Sequence, residues 1–384
     1  MAPQTIISAA RHARLVSAAQ RYAWWLGTRS HGVRSALKLS GWRLSRLGYR
    51  LLGRPSGALT WPLGLAFLCL NASSDQAKKE CAWIEKCFHG LIDPQGQATL
   101  AGVAIDRGGL GYAALRLFEL TQNPRYLTYA KAQGEAFACL PGAQKGCIPY
   151  TAGKHWVLVD TVAFICPFLA RLSRLTAKPN YANIALRQLD AMWQHGRADD
   201  GWIFHAFDAN TLETSGIAGW GRGVGWLLIG IVDTVCELPE GEDKTQWLAR
   251  GRQLLEKLAT CQREDGHWPW RLDEPLAAPD SSVTALVAYA LARWRQANFV
   301  EAVFQPRMLD RARSAIESVT DDKGRIGQCS GEAAGMGDYS TTFGYFLWAQ
   351  APAVAADLIG LIGLIGLIDP IDPIDPIDCE TLKS

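Results

Sequence analysis

The chain has 384 residues, 48% hydrophobic and 20% charged, with a formal net charge of +2. This is a globular composition with ample core for one large domain or two ordinary ones. The near-neutral balance argues against a general nucleic-acid binder, and the longest early apolar run, 59–70, is too short to cross a bilayer that needs ~20 residues.

The N-terminal segment differs from the rest. Residues 1–74 hold ten Arg or Lys and no acid, so the remainder carries 29 basic residues against 37 acidic ones. Residues 8–26 and 31–53 read as two basic helices parted by Gly27 and Gly32. They fit either contact with an anionic membrane surface or partner, or a preface packed on the acidic body of the same chain. No secretory pattern opens the chain. The cysteines form no C-x-x-C pair and sit in apolar stretches, which suits a reducing compartment and a cytoplasmic protein.

Beyond Pro55-Ser56-Gly57, apolar helices alternate with charged ones. The apolar members begin near Leu59, Gly108, Val157, Arg222, Ser281 and Tyr339, and the charged partners near Asp75, Pro124, Pro179, Lys244 and Gln305. A helix apolar all round must be covered on several sides, whereas an amphipathic one covers it and faces water. Six such pairs predict an all-α (α/α)6 toroid, with a basic N-terminal helix as the missing sixth cover. Three regions follow: an extension over 1–54, the toroid over 55–352 and a low-complexity tail over 353–384. The tail repeats Leu-Ile-Gly and then Ile-Asp-Pro, a period of three that suits neither helix nor strand.

The connections carry most of the glycine and tryptophan, and loops on a rigid scaffold are where sites concentrate. Asp106 precedes Arg107-Gly108-Gly109 at one helix entrance and reads either as a cap or as a site carboxylate. Asp160 is the only charged residue between Lys154 and Arg171. Apolar neighbours disfavour the charged form of a carboxylate, which suits a proton donor, although backbone N–H groups at a helix start could equally satisfy it. His205 lies in Gly201-Trp-Ile-Phe-His205-Ala-Phe-Asp208, as a hydrogen-bonded structural residue or a site residue. Trp220-Gly-Arg222-Gly-Val-Gly-Trp226 then puts a guanidinium and an indole four apart, on one helix face. That pair can hold an acidic sugar, its carboxylate on Arg222 and its ring on Trp226. His267, Trp268 and Trp270 either line the same cleft or plug the toroid floor, and Asp280-Ser281-Ser282 reads as a cap. No nucleophile elbow, P-loop or H-E-x-x-H motif occurs.

Taken together, Val159-Asp160-Thr161 with Pro167-Phe168-Leu169, the Gly201–Asp208 segment, Trp220–Trp226, Gln262–Trp270 with Asp280-Ser281-Ser282, and Gly327–Gly331 resemble the unsaturated glucuronyl and rhamnogalacturonyl hydrolases, glycoside hydrolase families 88 and 105. The resemblance covers roughly residues 58–350. It implies the (α/α)6 fold and removal of a 4,5-unsaturated uronic acid from an acidic oligosaccharide by acid-catalysed hydration of the double bond. It implies no metal, cofactor or covalent nucleophile. Asp160 matches the family's acid/base aspartate and Asp106 falls near its second aspartate. His205, Arg222 and Trp226 match substrate-binding positions, with Trp220 and Trp268 as further aromatic walls. Val224 stands where the family commonly has Asn. With the basic extension, it motivates the alternative of a diverged sugar-binding or scaffold protein of polysaccharide synthesis.

Overall fold

In the computed structural model, residues 60–365 are described apart from 89–90, 99–101, 152, 300–304, 323, 334 and 341. The two basic helices and the Ile-Asp-Pro repeats lie outside these residues, as does any sixth covering helix.

Burial sorts the helices into two sets. The inner set is α1 (Thr60–Ala66, continued by a 3-10 turn over Phe67–Asn71), α3 (Gly108–Thr121), α5 (Val159–Thr176), α7 (Gly221–Val235), α9 (Ser281–Gln296) and α11 (Leu347–Ile365). The outer set is α2 (Ser74–Phe88), α4 (Pro124–Ala138), α6 (Pro179–His195), α8 (Glu242–Cys261) and α10 (Gln305–Ser318). All of α7 is buried, so no face of it tolerates water and neighbours must surround it. Each inner helix packs on the next, and α11 returns to α1, which closes the ring. Gly108 permits the closest of these approaches: a Cβ there would fall 2.1 Å from the Phe164 carbonyl of α5. No described helix is long and apolar enough to cross a membrane.

Two boundaries differ from expectation. The sixth inner helix starts at Leu347, because Tyr339 and the residues after it form a loop with a two-residue strand at Phe343–Gly344. That helix also runs past 352 to Ile365. Leu358 and Ile359 are buried, so the start of the Leu-Ile-Gly repeat belongs to the ring: apolar residues in close succession give the all-round surface an inner helix needs.

The C-terminal ends of the inner helices are tied by paired charges. Arg171 donates from Nε and Nη2 to Glu237 Oε1 at 2.8 and 2.6 Å, and Arg174 Nε donates to Glu237 Oε2 at 2.9 Å. Arg293 and Tyr289 of α9 donate to Asp233 of α7, both at 2.8 Å. Asn71 joins the two groups, accepting from Arg171 and donating to Tyr289. Burial pushes the Glu237 carboxyl up, but the Arg171 charge and hydrogen bonds outweigh it and hold the group below its ordinary value.

Removing one member of a buried pair strands the other. Glu237→Ala is therefore expected to lower the unfolding free energy by about 3–5 kcal/mol in urea titrations. A loss under ~1 kcal/mol would contradict this. Because the folded carboxyl titrates below its unfolded value of 4.5, its contribution is full above that pH. It is lost as the pH falls through the depressed folded value, and the variant should lack this acid-side loss.

Candidate active site

All six inner helices start at one mouth of the ring, and a cavity of about 480 Å³ opens there. Its wall includes Trp61, Tyr150, Asp160, Phe164, Trp220 and Trp226. A larger cavity, about 540 Å³, lies at the other end among Arg116, Arg171, Arg174, Glu237, Lys244 and Arg293. There the cations meet carboxylates of the same cluster. The mouth cavity instead combines aromatic walls with a carboxylate that has no such partner.

That carboxylate is Asp160, in the first turn of α5. Strand β1 (Trp156–Leu158) pairs with β2 (Ala206–Asp208), and β2 with β3 (Thr214–Ser215). Leu158 faces Ala206, and Val159 N–H donates to His205 O at 2.9 Å. This pairing brings His205 Nε2 to 3.4 Å from Asp160 Oδ2. Asp160 is 18% exposed, and its Oδ2 is buried without a hydrogen-bond partner. A helix-start carboxylate satisfied by backbone N–H groups is not what the structure has.

His205 is fixed from its other side. Its Nδ1 lies 3.1 Å from Tyr339 Oη, and its ring sits 4.4 Å from that of Trp220. Tyr339 Oη accepts from Ile217 N–H at 3.0 Å, and burial pushes its hydroxyl pKa up against the opposing Ile217 and Gly337 amides. Because Tyr339 Oη accepts from Ile217 N–H, its own proton is available to Nδ1, an arrangement that would put the imidazole proton on Nε2, toward Asp160. Gly216, at φ +83°, makes room for this arrangement: a Cβ there would meet His205 Cβ at 2.6 Å and Tyr339 Oη at 2.7 Å.

Arg222 and Trp226 share the cavity wall, as their spacing on α7 predicts. The arginine also has a bracing task. Its Nη1 donates to Ser330 O and Oγ at 3.0 and 2.8 Å, and its Nη2 to Gly331 O at 2.8 Å. Ser330 Oγ in turn donates to Asp280 Oδ2 at 2.6 Å. Asp280 caps α9 by accepting from Ser282 N–H, as read from sequence, and it also holds this loop. Of the five N–H groups of Arg222, Nε–H and one on Nη2 remain for a ligand. Trp226 packs edge-on to Trp61 at 6.3 Å.

Asp106 reaches the cavity through Tyr150, whose hydroxyl donates to Asp106 Oδ1 at 2.5 Å. It does not cap α3, whose N-cap is Arg107. Burial pushes the Asp106 carboxyl up, the Tyr150 hydrogen bond opposes this, and the Asp160 charge adds to it.

Two expectations are corrected. Trp268 is fully buried, donates its indole N–H to Leu258 O at 2.7 Å and does not line the cavity. It packs in the core against α8, which carries the carbonyl its indole N–H bonds. His267 beside it is buried on Thr284, and burial lowers its pKa. Val224 is likewise fully buried and no part of the cavity wall. Residues that sequence reasoning missed are Tyr150, Tyr339, Trp61 and Lys154. Tyr339 carried a signal, an aromatic in a glycine-rich connection, but reads there as the start of a helix.

A closed ring of helix pairs, with a carboxylate, a histidine and aromatic walls at one mouth, is the architecture of toroidal glycosidases. Glycosyl Hydrolase Family 88 matches residues 48–356, and the chain belongs to that family. The unsaturated 3S-rhamnoglycuronyl hydrolase of Alteromonas sp. (strain LOR) is 27% identical over 180 residues, 45% of this chain. That match spans 43% of the relative, so the chain covers less than half the length of this protein. The unsaturated rhamnogalacturonyl hydrolase YesR of Bacillus subtilis (strain 168) is 24% identical over 297 residues, covering 73% of this chain and 81% of the relative. A possible GH105 member from Klebsiella pneumoniae shares the fold with a TM-score of 0.72 and 21% identity, over 79% of this chain and 82% of its own.

The Asp106–Tyr150 contact sets a titration. Asp106 should titrate above its ordinary 3.8, and higher still in Tyr150→Phe, which lacks the hydrogen bond that favours the carboxylate. Carboxyl ¹³C shifts followed against pH, with Asp106→Asn for assignment, check this. Between the ordinary and raised values the folded state keeps a proton that the unfolded state has lost, so this group's stability contribution falls as pH rises. An unchanged or lower midpoint in Tyr150→Phe would contradict the assignment.

Proposed function

We propose that this chain is a glycoside hydrolase that removes a 4,5-unsaturated uronic acid from an oligosaccharide, with Asp160 as the proton donor. The observation that carries the reading is the unpartnered Asp160 Oδ2, inside an aromatic cavity and 3.4 Å from His205 Nε2. A carboxyl there can deliver a proton to a bound carbon, and the Nε2–H then stabilises the carboxylate left behind. The family and the names of the two relatives support the substrate class.

In the proposed sequence, Asp160 gives its proton to C4 and the C4–C5 double bond is consumed. Water adds its oxygen to C5 and returns a proton to Asp160. The C5 hemiketal opens to a ketone, which leaves C1 as a hemiacetal, and this expels the aglycone as an alcohol. Trp226 and Trp220 flank the ring, the remaining N–H groups of Arg222 meet the uronate carboxylate, and Tyr150, held by Asp106, presents oxygen lone pairs to the sugar hydroxyls.

The scaffold alternative rested partly on Val224, and its burial away from the cavity weakens that motive. We place the reaction in the cytoplasm, where the eight free cysteines among the described residues would remain reduced.

Asp160→Asn keeps the shape and removes the transferable proton. Turnover of lyase-generated unsaturated disaccharides, followed by loss of the double-bond absorbance, should fall by about 10²–10⁴-fold. An undiminished rate in Asp160→Asn would overturn the assignment, and no turnover of any unsaturated uronide by the wild type would overturn the function.

A further inference from the structure

The cavity at the C-terminal end of the ring lies about 16–21 Å from Asp160 along α5, and it takes no part in the chemistry proposed above. Most of the charge on its wall is matched, but not all. Arg171 lies 2.6 Å from Glu237, Glu237 2.9 Å from Arg174, Arg174 2.8 Å from Glu119, and Glu119 3.5 Å from Arg116. Three arginines in this row share two carboxylates. The remaining cations of the wall have partners of their own, Arg293 in Asp233 and Lys244 in Glu240. One positive charge is left over, and it falls at the end of the row with the longest contact, on Arg116.

Arg116 is anchored by its inner nitrogen and underused at its tip. Its Nε donates to Leu70 O at 3.0 Å, which fixes the side chain on the wall. The two Nη groups carry four N–H hydrogens between them. They reach Glu119 Oε2 and Ser74 Oγ, each at 3.5 Å, outside the usual range of about 2.7–3.2 Å. The side chain is 19% exposed, so its charge is largely withdrawn from water. Burial and the like charge of Arg171 pull the guanidinium below its ordinary value, and Glu119 opposes them only in part. Ser74 opens α2, a helix of 15 residues, and the free amides of that first turn bring partial positive charge to the same wall. Asp75, the acid of that turn, is exposed and not on the wall.

We propose that this cavity is a second binding site, which takes a small oxyanion, a phosphate or carboxylate group, between the Nη fork of Arg116 and the start of α2. A planar guanidinium offers two parallel N–H bonds to two oxygens of such a group. The anion supplies the charge that the row of arginines and carboxylates lacks. At about 540 Å³ the space admits a small organic molecule carrying the anionic group as well as the free ion.

Titration calorimetry of the full chain with sodium phosphate and, separately, sodium acetate tests this, with ionic strength held constant by chloride. At least one anion should bind saturably, and the tighter of the two identifies the group that the ligand carries. Arg116→Met should weaken that binding by about tenfold or more, the loss expected for hydrogen bonds to a charged group. Glu119→Gln keeps the shape and removes the carboxylate that competes for Arg116, so it should tighten binding by about two- to fivefold. This opposite sign decides the matter even where Arg116→Met lowers stability. Hydrogen exchange should slow over the first turn of α2 when the anion is added, and not over the mouth loops. No saturable binding of either anion, an affinity unchanged in Glu119→Gln, or protection confined to the mouth would overturn the site. Because the site lies away from Asp160, its failure leaves the hydrolase reading standing.

Discussion

A helix with no face for water can be buried only by other helices on every side. This chain has a set of them, and they close on one another as a ring, with outer helices as cover. Closure aligns the inner helices, so all their N-termini reach one mouth and their C-termini the other. The first turns of α5 and α7 then face a common space, and Asp160 and Arg222 meet there although 62 residues separate them. The scaffold supplies proximity, and the loops supply precision: the β1–β2 pairing sets His205 against Asp160, and the Arg222–Ser330–Asp280 chain fixes the loop above it.

The two ends of the ring treat charge in opposite ways. At the C-terminal end, arginines and carboxylates satisfy each other, as a buried charge requires. At the N-terminal mouth, Asp160 keeps a buried oxygen without a hydrogen bond. Such a group costs ~1–3 kcal/mol, and a bound ligand that hydrogen-bonds to it relieves that cost. The charge network elsewhere lets the ring hold one unsatisfied carboxylate where chemistry is proposed.

Much of the fold is legible in the sequence because burial dictates it. The starts of α3, α5, α7 and α9 fall within two residues of where the alternation of apolar and charged segments puts them. The exceptions are physical. The loop after Tyr339 is as aromatic as an inner helix, and the Leu-Ile-Gly repeat looks unsuited to a helix, yet α11 runs through its start with Leu358 and Ile359 buried. Within the site, Arg222 and Trp226 follow from helical spacing, whereas Tyr150, Tyr339 and Ser330 do not. Their partners lie 44, 134 and 108 residues away, and no local pattern encodes such contacts. Trp268 shows the converse: a tryptophan in a glycine-flanked loop looks available, yet its indole N–H has a backbone partner in the core.

The central claim is that Asp160 adds a proton to carbon, so the fate of that proton is the most direct measure. Turnover of an unsaturated uronyl disaccharide in D₂O, with early reductive trapping and NMR of the released sugar, reports it. The account predicts deuterium at C4 with a single stereochemistry, since one carboxyl on one cavity wall delivers it. Deuterium in both C4 orientations, or none at C4 when the aglycone is released, would mean that the glycosidic bond is cut before the double bond is touched, and would contradict the account.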